Sequence, residues 1–185
     1  MTSVSYKSAT VRLPDKGWTA VPQGEDDAVM PGGAYDERIS KSAALVYDDS
    51  DPDERKSKAT VSLEIHSYDP HAEGNDLDVD YMRREVAKIA LDIQEGGGPV
   101  TQKPSITKDG VVYDVIASGM KSGLKKNPNK ILQWRWEYIG VVMRKGGNEA
   151  AGIKTVIECR GEFYSEQKCA KLANDVFDTL QVKKR

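Results

Sequence analysis

Phenylalanine, histidine and cysteine each occur only twice in the 185 residues. Two cysteines cannot build a disulfide scaffold, and two histidines leave little for a metal site. No apolar run approaches the roughly 20 residues that a membrane-spanning helix needs. Neither sign of charge dominates: 27 basic and 29 acidic side chains leave a net of −2, with no blanket attraction to nucleic acid or to an anionic membrane. The N-terminus has neither a basic n-region nor an apolar h-region, so no signal peptide is visible. If Met1 is the native start, a cytoplasmic protein is expected. If an export signal has been removed, the periplasm or cell envelope is the alternative. What remains, 38% hydrophobic and 30% charged residues, is the composition of a soluble globular chain. We read residues 1–185 as a single domain, long enough to bury about 70% of its unfolded surface without a staple.

Strand patterns dominate. Ala9–Leu13 is a short strand candidate closed by the turn residues Pro14 to Gly17. Pro22–Arg38 reads as an extended loop, Ser42–Tyr47 as a strand, and Asp48–Glu54 as an acidic loop. In Ala59–Tyr68, Val61, Leu63 and Ile65 alternate with Thr60, Ser62, Glu64 and His66, the period of a half-buried antiparallel strand. Asp78–Glu95 spaces Val79, Met82, Val86, Ile89 and Ile93 by threes and fours, one apolar helical stripe, and Gly96 to Pro99 stop it. Strands follow at Val100–Ile106, Val111–Ala117, Ile131–Met143 and Ala151–Phe163, the last placing Ile153, Ile157, Cys159 and Phe163 on one parity. Ser165–Leu180 is the closing helix, with Ser165 as N-cap and an apolar stripe from Cys169 to Leu180. The expected fold class is α+β: an antiparallel sheet of about six or seven strands with two helices packed on it, in two or three layers.

The element order, with the turn Leu13-Pro14-Asp15-Lys16-Gly17-Trp18 after the first strand and a final helix running into Asp178–Val182, resembles the PsbP/Mog-like fold family. The likeness covers nearly the whole chain as a pattern. That family includes PsbP, Ran-binding Mog proteins, Eag-type secretion chaperones and bacterial envelope lipoproteins. The resemblance implies a domain that binds another protein and catalyses nothing.

The richest segment is Leu132–Tyr138. Leu132, Trp134, Trp136 and Tyr138 share one face of the strand, and Arg135 and Glu137 the other. The stripe either packs beneath a helix as core or forms a concave surface for a partner. Tryptophan and tyrosine suit the second role because they join large area to a polar tip. Lys121–Lys130 forms a basic hairpin tip; with no aromatic between its lysines it does not fit a nucleic-acid surface. The candidate partner-binding residues are therefore Trp134, Trp136 and Tyr138, with Lys125, Lys126 and Lys130 at the rim.

The other constellations point to no chemistry. Asp48–Glu54 lacks the glycine and terminal glutamate of an EF-hand loop. His66 and His71 have no second ligand at metal spacing, and no triad or carboxylate pair is anchored by a local motif. We expect no catalytic residues, no metal and no cofactor. Cys159 and Cys169 both face the core. A helix folding back near Tyr164 would put Cys159 about 13–16 Å from the corner and Cys169 only about 6–8 Å from it. A disulfide needs Cα atoms within about 7 Å, so two separate buried thiols are expected. The functional expectation is a non-catalytic protein-binding module, a bacterial secretion-system accessory such as an effector chaperone or an immunity protein, with a toxin or effector as partner. The alternative is a small-molecule or lipid-binding envelope protein, with Trp134 and Trp136 lining its pocket.

Overall fold

The computed structural model describes residues 3–6, 9–13, 18–21, 35–47, 57–68, 79–92, 97–123, 125–143 and 150–183. The elements run β1 (Ser3–Tyr6), β2 (Ala9–Arg12), β3 (Thr19–Val21), β4 (Tyr35–Tyr47), β5 (Ser57–Tyr68), α1 (Val79–Asp92), β6 (Val100–Lys108), β7 (Val111–Lys121), β8 (Ile131–Met143), β9 (Ala150–Arg160), α2 (Glu166–Asp178) and β10 (Gln181–Val182). Among the described residues the expected α+β architecture is present: an antiparallel seven-stranded sheet in the order β3-β4-β5-β9-β8-β7-β6, and two helices. A second, three-stranded sheet, β1-β2-β10, was not expected. Its strands are too short to carry a period, and β10 is defined only by pairing Gln181 and Val182 with Thr10 and Ala9.

Alternation sorts the large sheet into two faces. Ala59, Val61 and Leu63 of β5, Tyr113, Val115 and Ala117 of β7, Trp136 and Tyr138 of β8, and Ile153, Ile157 and Cys159 of β9 point one way. They pack with Cys169, Ala173, Val176 and Phe177 of α2 and with Ala9 and Val11 of β2 in one core. Ile116, Ile139, Val141 and Ala150 point the other way, against Val86, Ala87 and Ala90 of α1. The domain therefore has three layers. α2 and the small sheet lie on one face, and α1 lies on the other, over the β6–β8 end.

Several boundaries differ from the sequence reading. β4 begins at Tyr35, inside the segment expected to be loop, because β5 continues to Tyr68 and offers that stretch a partner. β9 stops at Arg160 rather than Phe163, and Phe163 is exposed instead of inward. Gly161 ends the strand with φ of +100°, a conformation open to glycine, and a Cβ there would meet Ser57 at 2.6 Å. Within the turn from Pro14 to Gly17 only the flanking Leu13 and Trp18 are described, and both are buried. The acidic loop Asp48–Glu54 and His71 lie outside the described residues.

Candidate binding site

The start of α2 lies beside the turn between β9 and α2. Ser165 caps the helix as expected, in extended conformation, its hydroxyl accepting from the Lys168 amide at 3.2 Å. Between this first turn and the start of β8 runs a groove of about 500 Å³. Ile131, Leu132, Trp134 and Tyr164 supply its apolar lining, and Ser165, Glu166 and Gln167 form the helical wall. Lys130 and Glu162 stand at its mouth, the ammonium and carboxylate 2.5 Å apart.

The structure separates the candidate residues. Trp134 is half-buried and lines the groove together with Lys130. Trp136 and Tyr138 are core residues, 5% and 0% exposed, so the reading of the whole stripe as an open surface is corrected there. The reason is where α2 lies. Phe177 stacks on Tyr138 with ring centroids 4.1 Å apart, and the Tyr138 hydroxyl donates to Asn174 Oδ1 at 2.7 Å. Helix α2 thus covers the part of the stripe beyond Trp134 and leaves the groove where it begins. A pocket lined by Trp134 and Trp136 together is absent from the described residues, since Trp136 is packed in the core.

Lys125 and Lys126 are exposed in the turn between β7 and β8, and do not line the groove. That turn is ordered from within. The Ser122 amide donates to the Lys130 carbonyl at 2.8 Å, the Ser122 hydroxyl to the Asn127 carbonyl at 2.8 Å, and the Lys130 amide to the Asn127 carbonyl at 3.3 Å. The lysine turn is therefore continuous with the groove through Lys130. Tyr164, Ile131 and Glu162 were missed from sequence, whereas Leu132 belongs to the stripe already singled out there. Gly161 was the available signal, since a glycine after a strand and before a capped helix marks where the chain turns back.

Beneath the groove floor, Cys159 and Cys169 form a disulfide with Cα atoms 5.8 Å apart. The expectation of two separate thiols is overturned. The error lay in the corner. The strand ends one residue after Cys159, and Cys169 sits in the first turn of α2, so residues 161–165 bring them face to face. Cys159 pairs with Trp134 in the sheet, and Cys169 Sγ lies 3.8 Å from the Trp134 carbonyl. The bridge thus ties the groove's helical wall to its floor.

The opposite face of the sheet holds charge. Arg135 donates to Glu137 at 3.0 Å and also pairs with Glu158. Lys154 lies 3.2 Å from Glu137 and 3.9 Å from Glu64. Glu64 and Glu137 are each 5% exposed. Burial works against the Arg135 charge, but Glu137 and then Glu158 outweigh it, and the guanidinium pKa lies above its ordinary value. Nearer α1, Arg83 donates to Asp114 at 2.5 Å, and Ser105 donates to the same oxygen at 2.9 Å. Each buried carboxylate in this layer therefore has a cation beside it. Among the described residues no three of His, Cys, Asp and Glu gather as metal ligands, and no helix is long and apolar enough to cross a membrane. His66 lies in β5 opposite Gly152 and Arg38.

No protein-family model and no curated protein matches the chain. Among solved structures it is similar to LpqN of Mycobacterium tuberculosis, described as involved in cell envelope biogenesis. That match has a TM-score of 0.55 and 13% identity, over 98% of this chain and 90% of that one. A cyanobacterial PsbP from Synechocystis sp. PCC 6803 also matches, with a TM-score of 0.48 and 12% identity over 98% of this chain and 92% of that one. At such identities likeness speaks to the fold alone: a three-layer domain of the PsbP/Mog-like fold.

Proposed function

We propose that the protein is a non-catalytic binding domain of the cell envelope, working on the oxidising side of the membrane by holding another protein. The observation that carries this reading is the Cys159–Cys169 bridge. Structural disulfides form and persist in exported proteins and are rare where thioredoxin and glutathione keep thiols reduced. The bridge occupies both cysteines of the sequence, so neither is a nucleophile. The buried carboxylates are likewise engaged by Lys154, Arg135 and Arg83, an arrangement that suits structure more than proton transfer. The fold likeness to LpqN, an envelope-biogenesis protein, supports the same compartment. The groove at Trp134 supplies the binding surface.

The test is the thiol state in the cells that make the protein. A maleimide reagent added to denatured, unreduced extract is expected to label no cysteine, and to label both after reduction. The bulk of the protein should fractionate with the envelope. Free thiols in a cytoplasmic fraction would overturn the compartment. A photo-crosslinker at exposed Lys125 then distinguishes the finer roles. Capture of a membrane-helix segment indicates an effector chaperone, and capture of a folded toxin domain indicates an immunity protein. A crosslink to lipid alone favours a lipid-binding envelope protein instead.

A further inference from the structure

We propose that oxidation precedes folding in this protein: the Cys159–Cys169 bridge is made on the open chain by exchange with a disulfide oxidant, and the docking of α2 then seals it against further exchange. This rests on the same bridge that carries the envelope reading above, and adds when that bridge forms and what can reach it.

Burial sets the order of events. Cys159 and Cys169 are each 0% exposed. Cys159 lies within the sheet, between Ala59 of β5 and Trp134 of β8. Cys169 faces it from the inner side of α2, in one core with Ala173, Val176 and Phe177. Thiol–disulfide exchange requires a thiolate to reach a sulfur of the other disulfide and form a mixed disulfide with it. Apolar burial also disfavours the thiolate itself. Neither cysteine meets these conditions once α2 is in place. Contacts other than the bridge hold α2 there. Phe177 stacks on Tyr138 at 4.1 Å, the Tyr138 hydroxyl donates to Asn174 at 2.7 Å, and Lys108 Nζ donates to the Phe177 carbonyl at 3.2 Å. A chain that folds before it is oxidised therefore keeps two buried thiols.

On the open chain the chemistry is short. One cysteine thiolate attacks the oxidant's disulfide, which forms a mixed disulfide and releases one oxidant sulfur as a thiolate. The second cysteine then attacks the mixed disulfide at the protein sulfur, the bridge forms, and the other oxidant sulfur leaves as a thiolate. The protein gives up two electrons and two protons, and the oxidant takes up both as two thiols. The cysteines are 10 residues apart, and a loop of that order closes in about 10–100 ns. Two cysteines allow a single pairing, so the chain needs an oxidant and no isomerase.

Glutathione disulfide is the probe oxidant, because a site closed to so small a molecule is closed to a redox protein as well. Reduced protein is treated with it in unfolding urea and in native buffer, and bridge formation is followed by maleimide quenching and mass. The native reaction is expected to be at least about a hundredfold slower, since it waits for local opening of α2. Reduction of the bridged protein by dithiothreitol should show the same factor. Ser165→Ala removes the N-cap of α2 at an exposed position one turn from Cys169, and should speed both native reactions about fivefold. Lys88→Ala, exposed on α1, should change neither. A smaller factor between urea and native buffer, in either direction of the reaction, overturns the proposal and makes the bridge an accessible redox switch. Fast native exchange in a protein that is bridged in cells sinks this proposal and leaves the envelope reading standing. Slow native exchange in a protein whose cysteines are free in cells does the reverse.

Discussion

The two faces of the large sheet use opposite means of holding their helices. Under α2 the contact is apolar and covalent: Tyr113 and Tyr138 pack on Phe177 at 5.0 and 4.1 Å, and a disulfide closes one end. Under α1 the apolar contact is smaller, and its flank is a row of charges running from Arg83 and Asp114 to Arg135, Glu137 and Lys154. The aromatic face depends on shape, so any lost volume is felt. The charged face depends on completeness, because a buried charge is tolerated only while its partner stays. This also explains why the groove is on the α2 side. A short helix bridged at its first turn cannot cover the entire β8 stripe, and Trp134 is left at the border.

Phe177→Ala should break the aromatic face most severely. It removes the ring that both tyrosines touch and should cost about 3–5 kcal/mol in urea unfolding. On the charged face, Asp114→Ala should cost about 3 kcal/mol by removing the buried partner of Arg83, whose side chain is 12% exposed and keeps the exposed Asp80 at 3.4 Å. The paired replacement Arg83→Met/Asp114→Leu should recover most of that loss. If Asp114→Ala were silent, the contrast between the faces would fail. Replacing both cysteines by alanine should cost about 2–3 kcal/mol, the loop-entropy value for a separation of 10 residues. A larger loss would mean that the bridge also props the groove wall.

The smallest effect is a matter of pH. Burial, and secondarily Asp109, raises the Tyr113 pKa to about 12. Burial, and secondarily Asp178, raises that of Tyr138 as well. A raised folded pKa means that the neutral phenol is favoured by folding. The stabilisation is full below the unfolded value near pH 10 and is lost as pH rises through the folded value. Absorbance of tyrosinate should therefore lag for these two side chains, and denaturant midpoints should fall between about pH 10 and 12. Early ionisation of both would show the aromatic face to be open to water.

Gly140 illustrates how finely that face is fitted. A Cβ there would lie 2.5 Å from the Tyr113 ring, which itself meets Phe177 edge-on. Nothing in the linear sequence distinguishes this glycine from one that merely loosens a strand. The long alternating strands, both helices and the Ser165 cap were legible, because each is set by periods of two or 3.6 and by local hydrogen bonding. The α+β class and the PsbP/Mog-like pattern followed from their order.

What only the tertiary structure decided is where layers meet. β10 exists because distant segments pair, Gln181 and Val182 with Thr10 and Ala9, and β4 extends to Tyr35 because β5 offers it an edge. The same separation governs the candidate site. Alternation put Trp134, Trp136 and Tyr138 on one face, but not which of them α2 would cover. It put Cys159 and Cys169 inward, but the strand's end at Arg160 and the turn at Gly161 decided that they meet. Periodicity fixes the direction of a side chain from its own backbone; contact requires the position of a second element, and that is set by packing across the whole chain.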